Sequence, residues 1–201
     1  MALDALVLDL GNVLAFRDNE KLFAEMAKAF GTTKDDFKAR MGPEVWDPVN
    51  RGKLPGDALR QEIVKRLGKE VSPAAFYELW NCHFTINEPM ATMVQFLVGQ
   101  VKLVLLSNTH DQHFSYLRER LPVLEQFDAL VLSYEVGSVK PEKAIYEKAL
   151  AAAGTAPWKT CFFDDIKAYA TAATQVGMHG RVFTTVEQFQ ADLAGLGFKA
   201  G

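Results

Sequence analysis

Ala5-Leu-Val-Leu-Asp9-Leu-Gly11-Asn-Val-Leu14 is the stretch that decides the fold. Its first six residues, Ala5-Leu10, form a short run that is apolar except for Asp9 and stops at a glycine. Four further runs of the same kind follow: Val101-Leu106, Ala129-Leu132, Thr160-Phe163 and Gly180-Phe183. Short Val-, Leu- and Phe-rich runs without polar alternation read as strands buried on both faces, the signature of a parallel sheet. From Val101 onward each run is separated from the next by a stretch with helical spacing, such as Ala144, Ile145, Lys148, Ala149 and Ala152. Pro141 suits the first turn of that helix, and Thr184 with Glu187 forms a capping box for the last one. Alternating β and α elements with short connections predict a doubly wound, Rossmann-like α/β sheet.

The first interval breaks this rhythm. Between Ala5-Leu10 and Val101-Leu106 no strand-like run stands out. Helical stripes fill it instead: Leu22, Phe23, Met26 and Phe30; Leu59, Ile63 and Leu67; Phe76, Leu79, Trp80 and His83. Ser72-Pro73 is a helix start, and Pro43, Pro48, Gly52, Pro55 and Gly56 punctuate the pieces. Residues 15–87 therefore read as a helical cap inserted into an α/β core made of residues 1–14 and 88–201. The chain has 201 residues, 49% hydrophobic and 23% charged, with a formal net charge of -3. Such a balance gives no footing for nucleic acid or an acidic membrane surface. No apolar run approaches the roughly 20 residues that span a bilayer. Met1-Ala-Leu-Asp-Ala-Leu6 has neither the cationic start nor the cleavage site of a signal peptide. Cys82 and Cys161 read as reduced, buried thiols, and the compartment expected is the cytoplasm.

In an open α/β sheet, ligands sit beyond the C-terminal ends of the strands. Here those ends carry Asp9, Ser107-Asn108 and Asp164-Asp165, while Lys140 stands before a helix after the third strand. A carboxylate can attack phosphorus and form an acyl phosphate. Acidic groups on neighbouring strand ends can hold Mg²⁺, which takes hard oxygen ligands. A lysine and a cation offset charge on a transferring phosphoryl group, and a hydroxyl with a main-chain N–H binds its remaining oxygens. Each group alone is more often a turn or cap residue. Their coincidence at one sheet edge favours phosphoryl chemistry.

The segments Val7-Leu-Asp-Leu-Gly-Asn-Val-Leu14, Leu105-Leu-Ser-Asn108, Ser138-Val-Lys-Pro-Glu142 and Phe162-Phe-Asp-Asp165 resemble the four ordered motifs of the haloacid-dehalogenase-like superfamily. The insertion is similar to that superfamily's type 1 cap. The resemblance implies a Mg²⁺-dependent phosphatase of small phosphorylated metabolites, with no nucleic-acid or membrane partner. It makes Asp9 the nucleophile and a metal ligand. Ser107 and Asn108 become phosphoryl-binding residues, and Lys140 orients the nucleophile and neutralises charge. Asp165 and the Gly11 carbonyl join the metal's ligands, with Asp164 beside them. The Asp-Leu-Gly-Asn-Val form resembles a branch that includes bacterial sugar-1-phosphate phosphatases.

Two positions depart from the superfamily pattern. Gly11 stands where most members carry a second Asp as general acid and base, a function worth about 10²- to 10⁴-fold in rate. Asp18 or a cap histidine are the substitutes within reach. Tyr169 stands where an Asn is usual, near the metal. Phe16, Arg17 and Asp18 are placed to frame a substrate. Trp46 and Trp80 read as cap core, His110 and His113 as a solvated helix face, and His179 as a turn residue before the fifth strand. The rival readings are a metal-independent haloacid-type dehalogenase and a catalytically weak phosphate-binding regulator.

Overall fold

The computed structural model describes residues 3–198. Five parallel strands form the central sheet: β1 (Ala5–Leu8), β4 (Lys102–Ser107), β5 (Ala129–Leu132), β6 (Thr160–Asp164) and β7 (His179–Val182), in the order β5-β4-β1-β6-β7. Order reverses beside β1, so the C-terminal ends of β1, β4 and β6 open onto one crevice. Alternation along the strands feeds two cores. Leu6 and Leu8 of β1, Leu103 and Leu105 of β4, and Cys161 and Phe163 of β6 pack on one face against α6 (Glu88–Leu97), α7 (Asp111–Arg120) and α11 (Val186–Gly195). Ala5, Val7, Val104, Leu106 and Phe162 face the other way onto α9 (Lys143–Ala153) and α10 (Lys167–Gln175). Full burial of both faces is what lets these strands dispense with polar residues.

Gly180 shows how tightly α10 lies on β7. A Cβ at that position would come within 1.9 Å of the Ala170 carbonyl oxygen. Only a residue without a side chain fits there.

The cap holds a third core. Helices α1 (Asn19–Phe30), α2 (Lys34–Arg40), α3 (Pro43–Asn50), α4 (Asp57–Leu67) and α5 (Pro73–Asn81) bury Leu22, Met26, Phe30, Phe37, Val45, Leu59, Ile63, Phe76 and Trp80 together. Ser72 caps α5 as its position before Pro73 predicts, accepting from the Ala75 amide. The connection to the core is not purely helical. Ala15–Arg17 forms a short strand, β2, antiparallel to β3 (Phe84–Ile86). Three-residue strands are too short to show as a run in the sequence.

Several local expectations shift. The last helix is capped by Thr185, which accepts from the Gln188 amide, so the capping box lies one residue later than Thr184 and Glu187. Pro141 precedes α9 instead of lying in its first turn; Glu142 is the cap residue and the Lys140–Pro141 bond is cis. His179 is the first residue of β7, its ring nitrogen bonding the Trp158 carbonyl, so it is not in a turn. The apolar stripe 76–83 outlasts its helix, since α5 ends at Asn81. Cys161 is buried, whereas Cys82 is only half-buried. Among the described residues no helix is long and apolar enough to cross a membrane.

Candidate active site

Asp9 lies immediately past β1, and its amide donates to the Phe163 carbonyl of β6 at 3.0 Å. This main-chain link extends the β1–β6 ladder by one residue and sets Asp9 beside Asp164. Lys140 reaches between them from below. Its Nζ is 2.8 Å from Asp9 Oδ1 and 2.5 Å from Asp164 Oδ2, and also donates to the Leu106 carbonyl at 3.2 Å. All three side chains are buried. Burial lowers the proton affinity of Lys140, but the two carboxylates outweigh it and raise its pKa. Burial pushes the Asp164 carboxyl up to about 6, in spite of Lys140 and helped by the Asp9 charge.

The loop that carries Lys140 is fixed from both sides. Asn108 Oδ1 accepts from the Lys140 amide at 2.8 Å, and Asn108 Nδ2 donates to the Lys140 carbonyl at 3.0 Å. Ser138 Oγ donates to Glu142 Oε2 at 2.7 Å, closing the Ser138–Glu142 loop on itself. Glu142 also pairs with Arg51 of the cap at 2.6 Å, and these hydrogen bonds hold its carboxyl down to about 2. The Asn108 side chain is thus engaged with the backbone around Lys140, and the residue also lines the cavity. Ser107, buried at the end of β4, lines the cavity directly.

Asp165 completes an acidic cluster. Oxygen atoms of Asp9, Asp164 and Asp165 lie within 4.8 Å of one another. Asn12 Nδ2 donates to Asp165 Oδ2 at 2.8 Å, while Asp165 Oδ1 is buried without a hydrogen-bond partner. Three carboxylates against one lysine, with an orphaned buried oxygen among them, suit a hard divalent cation. Asn12 was not singled out as a site residue by sequence. Its signal was the residue type itself: its φ is 55°, a conformation that asparagine tolerates better than most residues. Tyr169 does not take up the carboxylate as an asparagine would. Its ring lies over Lys140, with Nζ 5.2 Å from the centroid.

Asp9, Gly11, Ser107, Asn108, Lys140 and Tyr169 line a cavity of about 310 Å³ between cap and core. Leu22, Phe23, Trp46 and Phe84 make an apolar wall opposite Asp9 and Ser107. The volume is at the small end of metabolite pockets. Asp18, one substitute suggested for the missing acid, caps α1 by accepting from the Lys21 amide at 2.9 Å and is not among the cavity-lining residues.

His110 and His113 overturn the expectation of a solvated face. Both lie under the cap: Trp80 Nε1 donates to His110 Nε2 at 2.9 Å, and His113 Nε2 is 3.0 Å from the Trp80 carbonyl. An indole N–H only donates, so Nε2 of His110 is the acceptor there, while Nδ1 faces the His113 amide at 3.5 Å as the cap of α7. His83 joins them, its ring centroid 5.0 Å from that of His113, which in turn is 3.8 Å from that of His110. Burial lowers all three pKa values, to about 4 for His83, about 3 for His110 and well below the usual range for His113. Trp80 itself is core as expected, stacked on Trp46 and Phe76 with centroids 5.5 Å apart in each pair.

The sequence model of the haloacid dehalogenase-like hydrolases matches residues 3–177. The chain belongs to that family. This haloacid dehalogenase-like hydrolase is 27% identical to a D-ribitol-5-phosphate phosphatase of Bacteroides thetaiotaomicron over 80% of its length and 82% of the relative's. It is 28% identical to a sesquiterpene phosphatase of Aspergillus oryzae, over 88% of this chain and 87% of that one. Among solved structures, it is similar to a family enzyme of B. thetaiotaomicron crystallised with magnesium and inorganic phosphate. There the TM-score is 0.84 at 25% identity, covering 92% of this chain and 96% of the other. The two curated relatives are named phosphatases, and the chain described here is a hydrolase of the same family.

Proposed function

We propose that this chain hydrolyses small phosphate monoesters, sugar and polyol phosphates first among them, through an aspartyl-phosphate on Asp9 that requires Mg²⁺. The observation that carries the reading is the buried Asp9–Lys140–Asp164 arrangement beside Asp165, whose Oδ1 lacks a partner. The adjacent acidic pair favours a metal-dependent phosphatase over a metal-independent dehalogenase. Asp9, Asp165 and the Gly11 carbonyl would hold the cation, with Asp164 beside them. Bound there, Mg²⁺ supplies Lewis-acid stabilisation of charge on the phosphoryl oxygens.

The chain's own residues do the rest. Lys140 pairs with the Asp9 carboxylate and fixes one of its oxygens, leaving the other to attack phosphorus. The Ser107 hydroxyl and the Asn108 main chain bind oxygens of the phosphoryl group. Asn108 also holds the Lys140 loop in register, so its side chain serves positioning. Residues 15–87, as the cap, exclude water and limit substrates to those that fit under α1 and α3.

A panel of sugar, polyol and aryl phosphates, with Mg²⁺ and with EDTA, tests the proposal. Phosphate release is expected from small esters with Mg²⁺ alone, and poorly from a folded phosphoprotein. Equal rates in EDTA, or halide release from 2-haloacids in place of phosphate release, would overturn it.

A further inference from the structure

Gly11 follows Asp9 by two residues and removes the side chain that would face the ester oxygen. Its φ lies outside the left-handed region, so the backbone there does not itself require glycine. The Arg17 side chain lies beside it, in van der Waals range of where a side chain would begin. A Cβ on Gly11 would meet Arg17 Cζ and Nε at 3.5 Å and Arg17 Cδ at 3.7 Å. Local chain geometry delivers Arg17 to this spot. Gly11 bridges to Ala15, the Asn12 amide donates to the Ala15 carbonyl at 2.8 Å, and Asn12 Oδ1 accepts from the Arg17 amide at 3.1 Å.

Arg17 and Lys140 both line the cavity, but they differ in what they are free to do. Lys140 is held by Asp9 and Asp164. The Arg17 guanidinium has no hydrogen bond or ion pair among the described residues. It is a cation left open toward substrate, on the side of the site where the superfamily pattern carries its acid and this chain has Gly11. The polar alternatives are weak. Asp18 is engaged as a helix cap. His83 is buried and neutral at pH 7, so it is no strong acid.

We infer that Arg17 occupies the place of the missing side chain and stabilises the negative charge that develops on the ester oxygen as the phosphoryl group passes to Asp9. The inference rests on the phosphatase reading above. In the first step an Asp9 carboxylate oxygen bonds to phosphorus, the P–O ester bond breaks, and its electron pair leaves on the ester oxygen as an alkoxide or phenoxide. The guanidinium hydrogen-bonds that oxygen and does not surrender a proton, because arginine stays charged in proteins. The oxyanion takes a proton from water, and the resulting hydroxide attacks phosphorus in the second step. That breaks the acyl-phosphate bond, restores the carboxylate and releases hydrogen phosphate. Electrostatic stabilisation of this kind is worth about 10²- to 10³-fold where a donor faces developing charge.

The test is the dependence of kcat/KM on leaving-group pKa, measured over nitrophenyl, phenyl and alkyl phosphates for the unmodified enzyme, Arg17→Gln and Arg17→Lys. Arg17→Gln should lose about 10²- to 10³-fold on alkyl esters, lose little on nitrophenyl phosphate, and give a steeper slope. Arg17→Lys should restore part of the alkyl rate. Thermal unfolding should be unchanged, since the side chain is exposed. Equal losses on every ester would make Arg17 a phosphoryl- or cavity-binding group and overturn the inference, as would no loss at all. An unmodified enzyme that hydrolyses no phosphate ester overturns the phosphatase reading together with it; parallel slopes in an active enzyme overturn only the role of Arg17.

Discussion

Lowering the pH from 7.5 to 5.5 should destabilise this fold through the histidines under the cap. His83 and His110 are both buried, and their folded pKa values fall to about 4 and about 3, chiefly through burial. In the unfolded chain each titrates near 6.5. A depressed folded pKa means that the unfolded state binds the proton first, so stability is complete above about pH 6.5 and declines as pH falls toward the folded values. At pH 5.5 each ring costs about 1.3 kcal/mol relative to pH 7.5, or about 2.5 kcal/mol for the pair. His113, half-buried between them, acts in the same direction, because burial lowers its pKa too. Arg17 and Lys21 oppose protonation of His83 while Asp18 favours it; Asp111, 3.9 Å from His110 Nδ1, gives that ring modest relief. Asp164, with its raised pKa, works in the opposite direction. A variant comparison therefore isolates the histidines. Urea unfolding at both pH values should show the decline, and His110→Gln, which keeps an acceptor for the Trp80 indole, should shrink it by about 1.3 kcal/mol. An equal decline in the variant would assign the effect to other groups and refute the reasoning.

Lys140→Met should cost about 3 to 5 kcal/mol of stability, because Asp9 and Asp164 would remain buried without their cation. The same variant should lose activity by at least about 10²-fold; urea unfolding and phosphate release check the two effects, and near-normal stability would contradict the buried pairing. Gly180→Ala should cost about 1 to 3 kcal/mol, since its methyl must push the Ala170 carbonyl away. Because α10 carries Tyr169 into the cavity wall, its activity should fall as well; a neutral thermal melt would show that the helix yields freely.

The sheet was legible because parallel strands buried on both faces leave unbroken apolar runs, and the acidic, serine and lysine positions stand where those runs stop. Ser138 and Glu142 were quoted with Lys140 as one motif; the structure shows them closing its loop. Less was visible where function depends on contacts between distant segments. The spacing of His110 and His113 gives no hint that Trp80 will lie on them, because cap docking is set by surfaces far apart in sequence. β2 and β3 were illegible at three residues each, yet the turn that leads into β2 is what returns Arg17 to Gly11. Gly11 itself read as the absence of an acid–base group, and only the geometry places Arg17 beside it.

The central claim is that Asp9 becomes phosphorylated during turnover. Enzyme mixed with substrate and Mg²⁺ can be quenched in acid within the first turnover and its peptides analysed by mass spectrometry. The account predicts a phosphorylated peptide containing Asp9, absent from Asp9→Asn, which stays folded and inactive. Phosphate released in step with substrate loss while Asp9 stays unmodified, or phosphorylation at another residue, would contradict it.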